Sequence, residues 1–247
     1  MTTSDPAILR YQQKCYAEYA SDIGLPRLYK YPTGNPIRPV PPVQTVVGRL
    51  MIIGAYPSAR FESRKSPTTK RWRVIPVADN LQPFGEEVYF DGKQVRRLES
   101  GAGLREFLLD PLSVRLTDCW VTDLVKVFLY KPEHADSCGD AVPGFKAPVL
   151  RTNFMNLGRN SLKWIQEECR LCKPGIIITL GEEVARIVSG STAKADELLI
   201  ARPSKPEALV GFTTFHCPHP DACRRSPKWR DRMKEITGAI AESGGLR

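Results

Sequence analysis

Three short stretches of this 247-residue chain hold residue types that could act together on one ligand. The first is Gly54-Ala55-Tyr56-Pro57-Ser58, placed directly after the apolar run Leu50-Met51-Ile52-Ile53. Gly54 allows a sharp turn or the close approach of a ligand, and Pro57 fixes one backbone angle and removes a donor. The second is Thr122-Asp123-Leu124-Val125-Lys126, an acid set inside an apolar run. The third is Cys217-Pro218-His219-Pro220, a histidine braced by two prolines and followed by Arg224 and Arg225. A carboxylate and an imidazole are the usual partners in proton transfer, and arginines suit phosphate.

These groups need a scaffold that brings three distant stretches together. Residues 50–53 read as a short buried strand, because they are apolar and rich in branched side chains. Asp118 to Val127, Gly175 to Gly181 and Leu209 to His216 read as three more strands. Helices are expected from Asp5-Pro6 to about Ile23, over Gly103–Asp110, Asn156–Cys172 and Glu182–Val188, and in the basic tail after Pro220. Residues 25–45, with six prolines, read as an irregular arm. Residues 59–90 read as a long basic and aromatic loop, Asp91-Gly92 as a tight turn, and 131–150 as loop. Strands alternating with helices predict an α/β fold, a three-layer α/β/α arrangement around a mostly parallel four-stranded sheet. In such sheets ligands bind beyond the carboxyl ends of the strands, where Ser58, Asp123 and His219 all fall. One domain over residues 1–247 is expected, with 1–45 as a helix and arm packed on it.

Lys plus Arg is 36 against 27 Asp plus Glu, a formal charge of +9. That excess points to a polyanion, nucleic acid first and an acidic membrane surface second. No run approaches the ~18 apolar residues of a membrane helix, and residues 1–20 do not read as a signal peptide. A cytoplasmic location, reduced thiols at the seven cysteines and a monomer are therefore expected.

At these residues the chain resembles the uracil-DNA glycosylase superfamily. Gly54-Ala55-Tyr56-Pro57 is similar to its Gly-x-x-Pro loop, and Thr122-Asp123-Leu124-Val125-Lys126 to its Thr-Asn-Leu/Val-Val-Lys strand. Pro174, Ile177, Leu180 and Gly181 match a Pro-x-x-Ile-x-x-Leu-Gly strand, and His219-Pro220-Asp221 a His-Pro-Ser loop. Pro83-Phe84 matches a Pro-Phe pair whose Phe stacks on the flipped base. The four motifs run in order over residues 46–225 and imply a DNA substrate and hydrolysis of an N-glycosidic bond.

The resemblance implies roles for single residues. Phe84 would stack on the base, His219 would donate to the base oxygen at C2, and Gly54, Ala55, Tyr56, Ser58 and Asp123 would line the base pocket. Arg60, Lys126, Arg224 and Arg225 would meet DNA. Three departures matter. Asp123 stands where the family has Asn; ionised, it accepts only, which repels O4 of uracil and suits the amino group of cytosine, whereas protonated it could still bind uracil. Ser58 stands where the most uracil-restricted branch has a Tyr that blocks a 5-methyl group. Ala55 and Tyr56 stand where several branches activate water, so a substitute is sought among Glu62, Asp79 and Glu86, with Asp79-Asn80 preferred.

Three readings follow. The first is a monofunctional DNA glycosylase for a 5-modified cytosine, hydroxymethylated or glucosylated, with a role in defence against viruses whose DNA is modified. The second is a uracil-DNA glycosylase of base-excision repair. The third is an inactive DNA-binding member of the fold. DNA is the expected partner, with no membrane. No cofactor is expected. No metal is expected either: Cys169 and Cys172 read as core residues of one helix face rather than as a metal pair, and His219 is needed free.

Overall fold

The computed structural model describes residues 5–82, 84 and 87–245. Pro83, Gly85 and Glu86, which enter the readings above, lie outside them. Helix α1 (Pro6–Asp22) begins where Asp5 caps the amide of Ala7 and buries Ile8, Tyr11, Cys15 and Tyr19. The proline-rich arm then runs to β1 (Gln44–Thr45), β2 (Leu50–Gly54), β3 (Ala59–Lys65) and β4 (Trp72–Asp79). A small hairpin, β5 (Val88–Phe90) and β6 (Val95–Arg97), turns at Asp91-Gly92. Helix α2 (Ser100–Leu104) continues as a π-helical turn to Leu109. Next come β7 (Cys119–Asp123), α3 (Pro132–Ala141), α4 (Phe154–Cys172), β8 (Ile176–Leu180), α5 (Glu182–Ser189) and α6 (Ala195–Leu198). Strand β9 (Thr214–Cys217), α7 (Pro220–Arg225) and α8 (Pro227–Glu242) close the chain.

The central sheet has the order β1-β7-β2-β8-β9. The last four strands are parallel, and β1 pairs antiparallel with β7. The sheet is therefore five-stranded rather than four-stranded, because the end of the arm supplies a two-residue edge strand. Alternate residues of β2 face opposite layers. Met51 and Ile53 pack with α1, α4 and α5, while Leu50 and Ile52 pack with α2 and α8. That alternation makes the three layers.

Three expectations are corrected. Residues 59–79 form an antiparallel hairpin, β3 with β4, instead of a loop. Its strands are half-exposed and carry charge on both faces, which hides the two-residue period. The first half of 131–150 is α3, started by Pro132 at its first turn. The strand from Asp118 ends at Asp123; residues 124–130 are buried but irregular, tied to the arm through Val40 N–H to Lys126 O (2.6 Å) and Tyr29 Oη to Phe128 O (2.8 Å).

Lys126 is the sharpest correction. It is 0% exposed and cannot meet phosphate. Its ammonium pairs with the equally buried Glu168 of α4 and donates to Thr122 Oγ1 (2.8 Å) and the Asp123 carbonyl (3.1 Å). Glu168 also accepts from Tyr11 Oη (2.6 Å), Trp120 Nε1 (2.9 Å) and Thr122 Oγ1 (3.2 Å). A buried charge is tolerated when its lone pairs are satisfied in this way. The network locks the end of β7 and thereby aims Asp123.

Candidate active site

The four parallel strands end at one edge of the sheet, and the chemistry gathers there. Gly54 and Asp123 are register partners at the ends of β2 and β7. The ladder runs on through Leu124 N–H to Gly54 O and Val125 N–H to Ala55 O, both 2.9 Å. A Cβ at Gly54 would stand 2.2 Å from Asp123 Oδ1 and 3.2 Å from Phe84 Cζ. Glycine is needed here for space: the carboxyl and the phenyl ring meet over its bare Cα. Phe84 adopts φ +54, a left-handed conformation unusual for a bulky residue. Such backbone strain gathers at ligand sites.

Asp123 is 7% exposed, and its carboxyl has no hydrogen-bond partner among the described residues. Burial pushes its pKa up to about 7, against the pull of the Lys126 ammonium; Glu168 adds to the rise. At neutral pH the group is thus partly a carboxylic acid, able to give a proton as well as accept a bond. The sequence left both states of the group open, ionised and protonated; the tertiary surroundings make it a titrating one.

His219 caps the start of α7. The Asp221 N–H donates to its Nδ1 (3.2 Å), which leaves the ring proton on Nε2. Burial holds the ring below the ordinary histidine value; Asp221 opposes this, while Arg225 and Lys131 reinforce it. His219 is therefore a neutral N–H donor at a strand end, suited to an oxygen that gains negative charge.

These residues line one cavity of about 1050 Å³. Gly54, Ala55, Tyr56, Ser58, Phe84, Asp123 and His219 are all on its wall, as is Asn80. Several other expectations are not met. The Asp79 carboxylate turns to the arm, accepting from Tyr31 Oη (2.9 Å) and the Arg38 N–H (3.3 Å), so it is not free to activate water. Glu62 pairs with Arg64. Arg224 is bound to Glu99 of the segment before α2, a contact that fastens α7 rather than one open to phosphate. Arg225 borders the cavity with its side chain 81% exposed, and Arg60 is also exposed, with Glu87 at 3.3 Å. The cysteines Cys169 and Cys172 are core residues, both buried.

The sequence reading missed part of the wall: Phe61, Phe128, His134 and Arg151. None belongs to a motif, and all four lie on segments read as loop or outside any reading. The short spacing of Phe128, Lys131 and His134 was the available signal.

Residues 44–240 match the model of the family described as the uracil DNA glycosylase superfamily. The chain belongs to that superfamily. The superfamily match starts at β1 and ends within α8, so it takes in every strand of the sheet and leaves out α1 and the arm. Curated proteins give no significant match to the chain. Membership places the chain among DNA glycosylases, and with it the cavity at the strand ends becomes the candidate pocket for a flipped base. No helix among the described residues is long and apolar enough to cross a membrane.

Proposed function

We propose that the chain is a monofunctional, hydrolytic DNA glycosylase whose substrate base is a 5-substituted cytosine. The carrying observation is Asp123, a titratable acid with a pKa near 7 where the uracil-binding members of the resemblance have Asn. Uracil leaves as an anion that hydrogen bonds can stabilise. Cytosine is a poorer leaving group and gains more from a proton at N3. A protonated Asp123 complements its pairing edge with both oxygens, accepting from N4–H and donating to N3.

The C1′–N1 bond breaks and its electron pair passes into the base, where His219 Nε2–H stabilises O2. The Asp123 proton moves to N3, so the base departs neutral. Water adds to C1′, and the proton it sheds passes to solvent. Phe84 supplies the stacking face, and base flipping brings the nucleotide into the cavity. Asn80, which lines the cavity, orients water through its amide N–H₂, its Oδ1 accepting from the Gln82 N–H (3.0 Å). Arg60 and Arg225 supply exposed cations for phosphate. The molecule acts as a monomer on DNA in the cytoplasm, and a bulky 5-substituent would suit defence against modified viral DNA.

The test is a set of duplexes bearing uracil, cytosine, 5-hydroxymethylcytosine or its glucosylated form, followed by alkaline cleavage of abasic sites. Breaks at modified cytosine are expected. Breaks at uracil alone would overturn the base assignment and favour the repair enzyme. Tight binding without breaks at any base would favour the inactive binding member.

A further inference from the structure

The cavity is larger than its base. At about 1050 Å³ it lies just above the ~300–1,000 Å³ that holds drug-sized ligands, and a pyrimidine is far smaller than those. Beyond Ser58, where the chain enters β3, the wall continues through Phe61, Val74 and Phe128 to His134 on the first turn of α3. His134 lies flat against Phe128, with ring centroids 5.6 Å apart and planes 26° apart, and stands 5.7 Å from Phe61. Its Nδ1 is buried, and neither ring nitrogen has a hydrogen-bond partner among the described residues.

The same cavity is also lined by Arg151, held by both oxygens of Glu183 and lying over the rings of Phe154 (4.9 Å) and Tyr56 (5.6 Å). Lys131 and Glu182 also border it. The Arg151–Glu183 and Arg186–Glu182 ion pairs each neutralise themselves, so both carboxylates are matched and a neutral ligand can be held without stranding a charge. Aromatic faces offer contact to C–H groups, and an unpaired imidazole with a paired guanidinium and carboxylate offers hydrogen bonds to hydroxyls. An apolar substituent would leave the His134 ring unpaired, at a cost that a hydroxyl removes.

We infer that the chamber beyond Ser58, walled by Phe61, Phe128, His134 and the Arg151–Glu183 pair, receives a neutral, polyhydroxylated substituent carried on C5 of the flipped base, a sugar joined through a hydroxymethyl group. His134 is its specificity-determining residue. Burial, with Lys131 beside it, lowers the His134 pKa to about 4, so at neutral pH the ring is uncharged; Nδ1 is sealed, and Nε2 is the nitrogen that can bond a hydroxyl. Ser58 is the passage between base and chamber. The inference rests on reading the cavity as a base pocket, but not on which pyrimidine fills it.

The experiment uses the full chain and two duplex series, one built on cytosine and one on uracil. In each series C5 carries hydrogen, hydroxymethyl or glucosylated hydroxymethyl. Excision rates are compared within each series, with equilibrium binding by fluorescence anisotropy as the readout for any series that is not cut. In whichever series is processed, the glucosylated base should be taken at least as well as the hydroxymethyl base. His134→Phe keeps the stacked ring and removes its nitrogens; it should lower the glucosylated-to-hydroxymethyl ratio about tenfold. Ser58→Tyr should lower the same ratio further by filling the passage. Wild-type discrimination against the glucosylated base, or a ratio unmoved by both variants in folded protein, would overturn the chamber. Processing of the uracil series alone would overturn the cytosine assignment while the ratio in that series still decides the chamber.

Discussion

Asp123→Asn is expected to shift the preference of the enzyme from modified cytosine towards uracil by about 10²-fold or more, the scale of losing a positioned general acid. The amide can still bond either pairing edge, but it has no proton to transfer to N3, so excision of the cytosine derivative falls. Uracil needs no such proton, and the amide ends the repulsion between an ionised carboxylate and O4. The pH dependence separates this role from simple binding. In the wild type, excision of a cytosine derivative should fall as pH rises through about 7, where Asp123 loses its proton. The Asn variant should lack that limb. An unchanged base preference together with an unchanged limb would remove Asp123 from both roles.

The same carboxyl has a thermodynamic signature. Its pKa is 3.8 in an ordinary setting and about 7 in the fold, so folding takes up a proton between those values. Its favourable contribution is present below about pH 4 and is lost as pH rises through about 7. Thermal unfolding of the wild type should therefore show a decline across this window that Asp123→Asn reduces.

Lys126→Met is expected to destabilise the fold by about 3–5 kcal/mol, the usual cost of leaving a buried charge without its partner. Glu168 would keep its bonds from Tyr11, Trp120 and Thr122 but lose the ammonium. Urea unfolding measures the loss. Replacing Glu168 by Gln in the same chain should recover part of it, since the stranded charge goes with it. A neutral Lys126→Met would show that the pair does not carry the end of β7. A surface phosphate contact would behave differently, with stability unchanged and DNA affinity reduced, so this measurement also separates the two placements of Lys126.

Much of the fold was legible because its central strands are short, apolar and bounded by Gly or Pro. Leu50–Gly54 and Ile176–Leu180 are buried on both faces, so their composition alone marks them. Helix α4 is legible for a different reason. Its buried residues Phe154, Leu157, Ser161, Trp164, Ile165 and Glu168 recur at helical spacing, and Lys173 in a left-handed conformation ends it just before Pro174. The β3–β4 hairpin and the edge strand Gln44–Thr45 were not legible. Their pairing rests on backbone bonds between half-exposed strands rather than on an apolar pattern.

The residue types at the pocket, and their order along the chain, were fixed by sequence: a glycine and proline loop, an acid at position 123, a histidine between prolines, a phenylalanine in loop sequence. Parallel strands put such residues at one edge without further information. What only the tertiary structure decided is the state and reach of each group. Lys126 carries the same charge as Arg225, yet one is sealed against Glu168 and the other is open to solvent. Asp79 and Asp123 are the same side chain; one is occupied by Tyr31 and the arm, the other stands over Gly54 with no hydrogen-bond partner among the described residues. The loop Gly54–Ser58 is likewise a wall, because the carboxyl and the imidazole of the cavity come from the end of β7 and the cap of α7. Burial and partnership are properties of packing between distant segments, and no local pattern of residues encodes them.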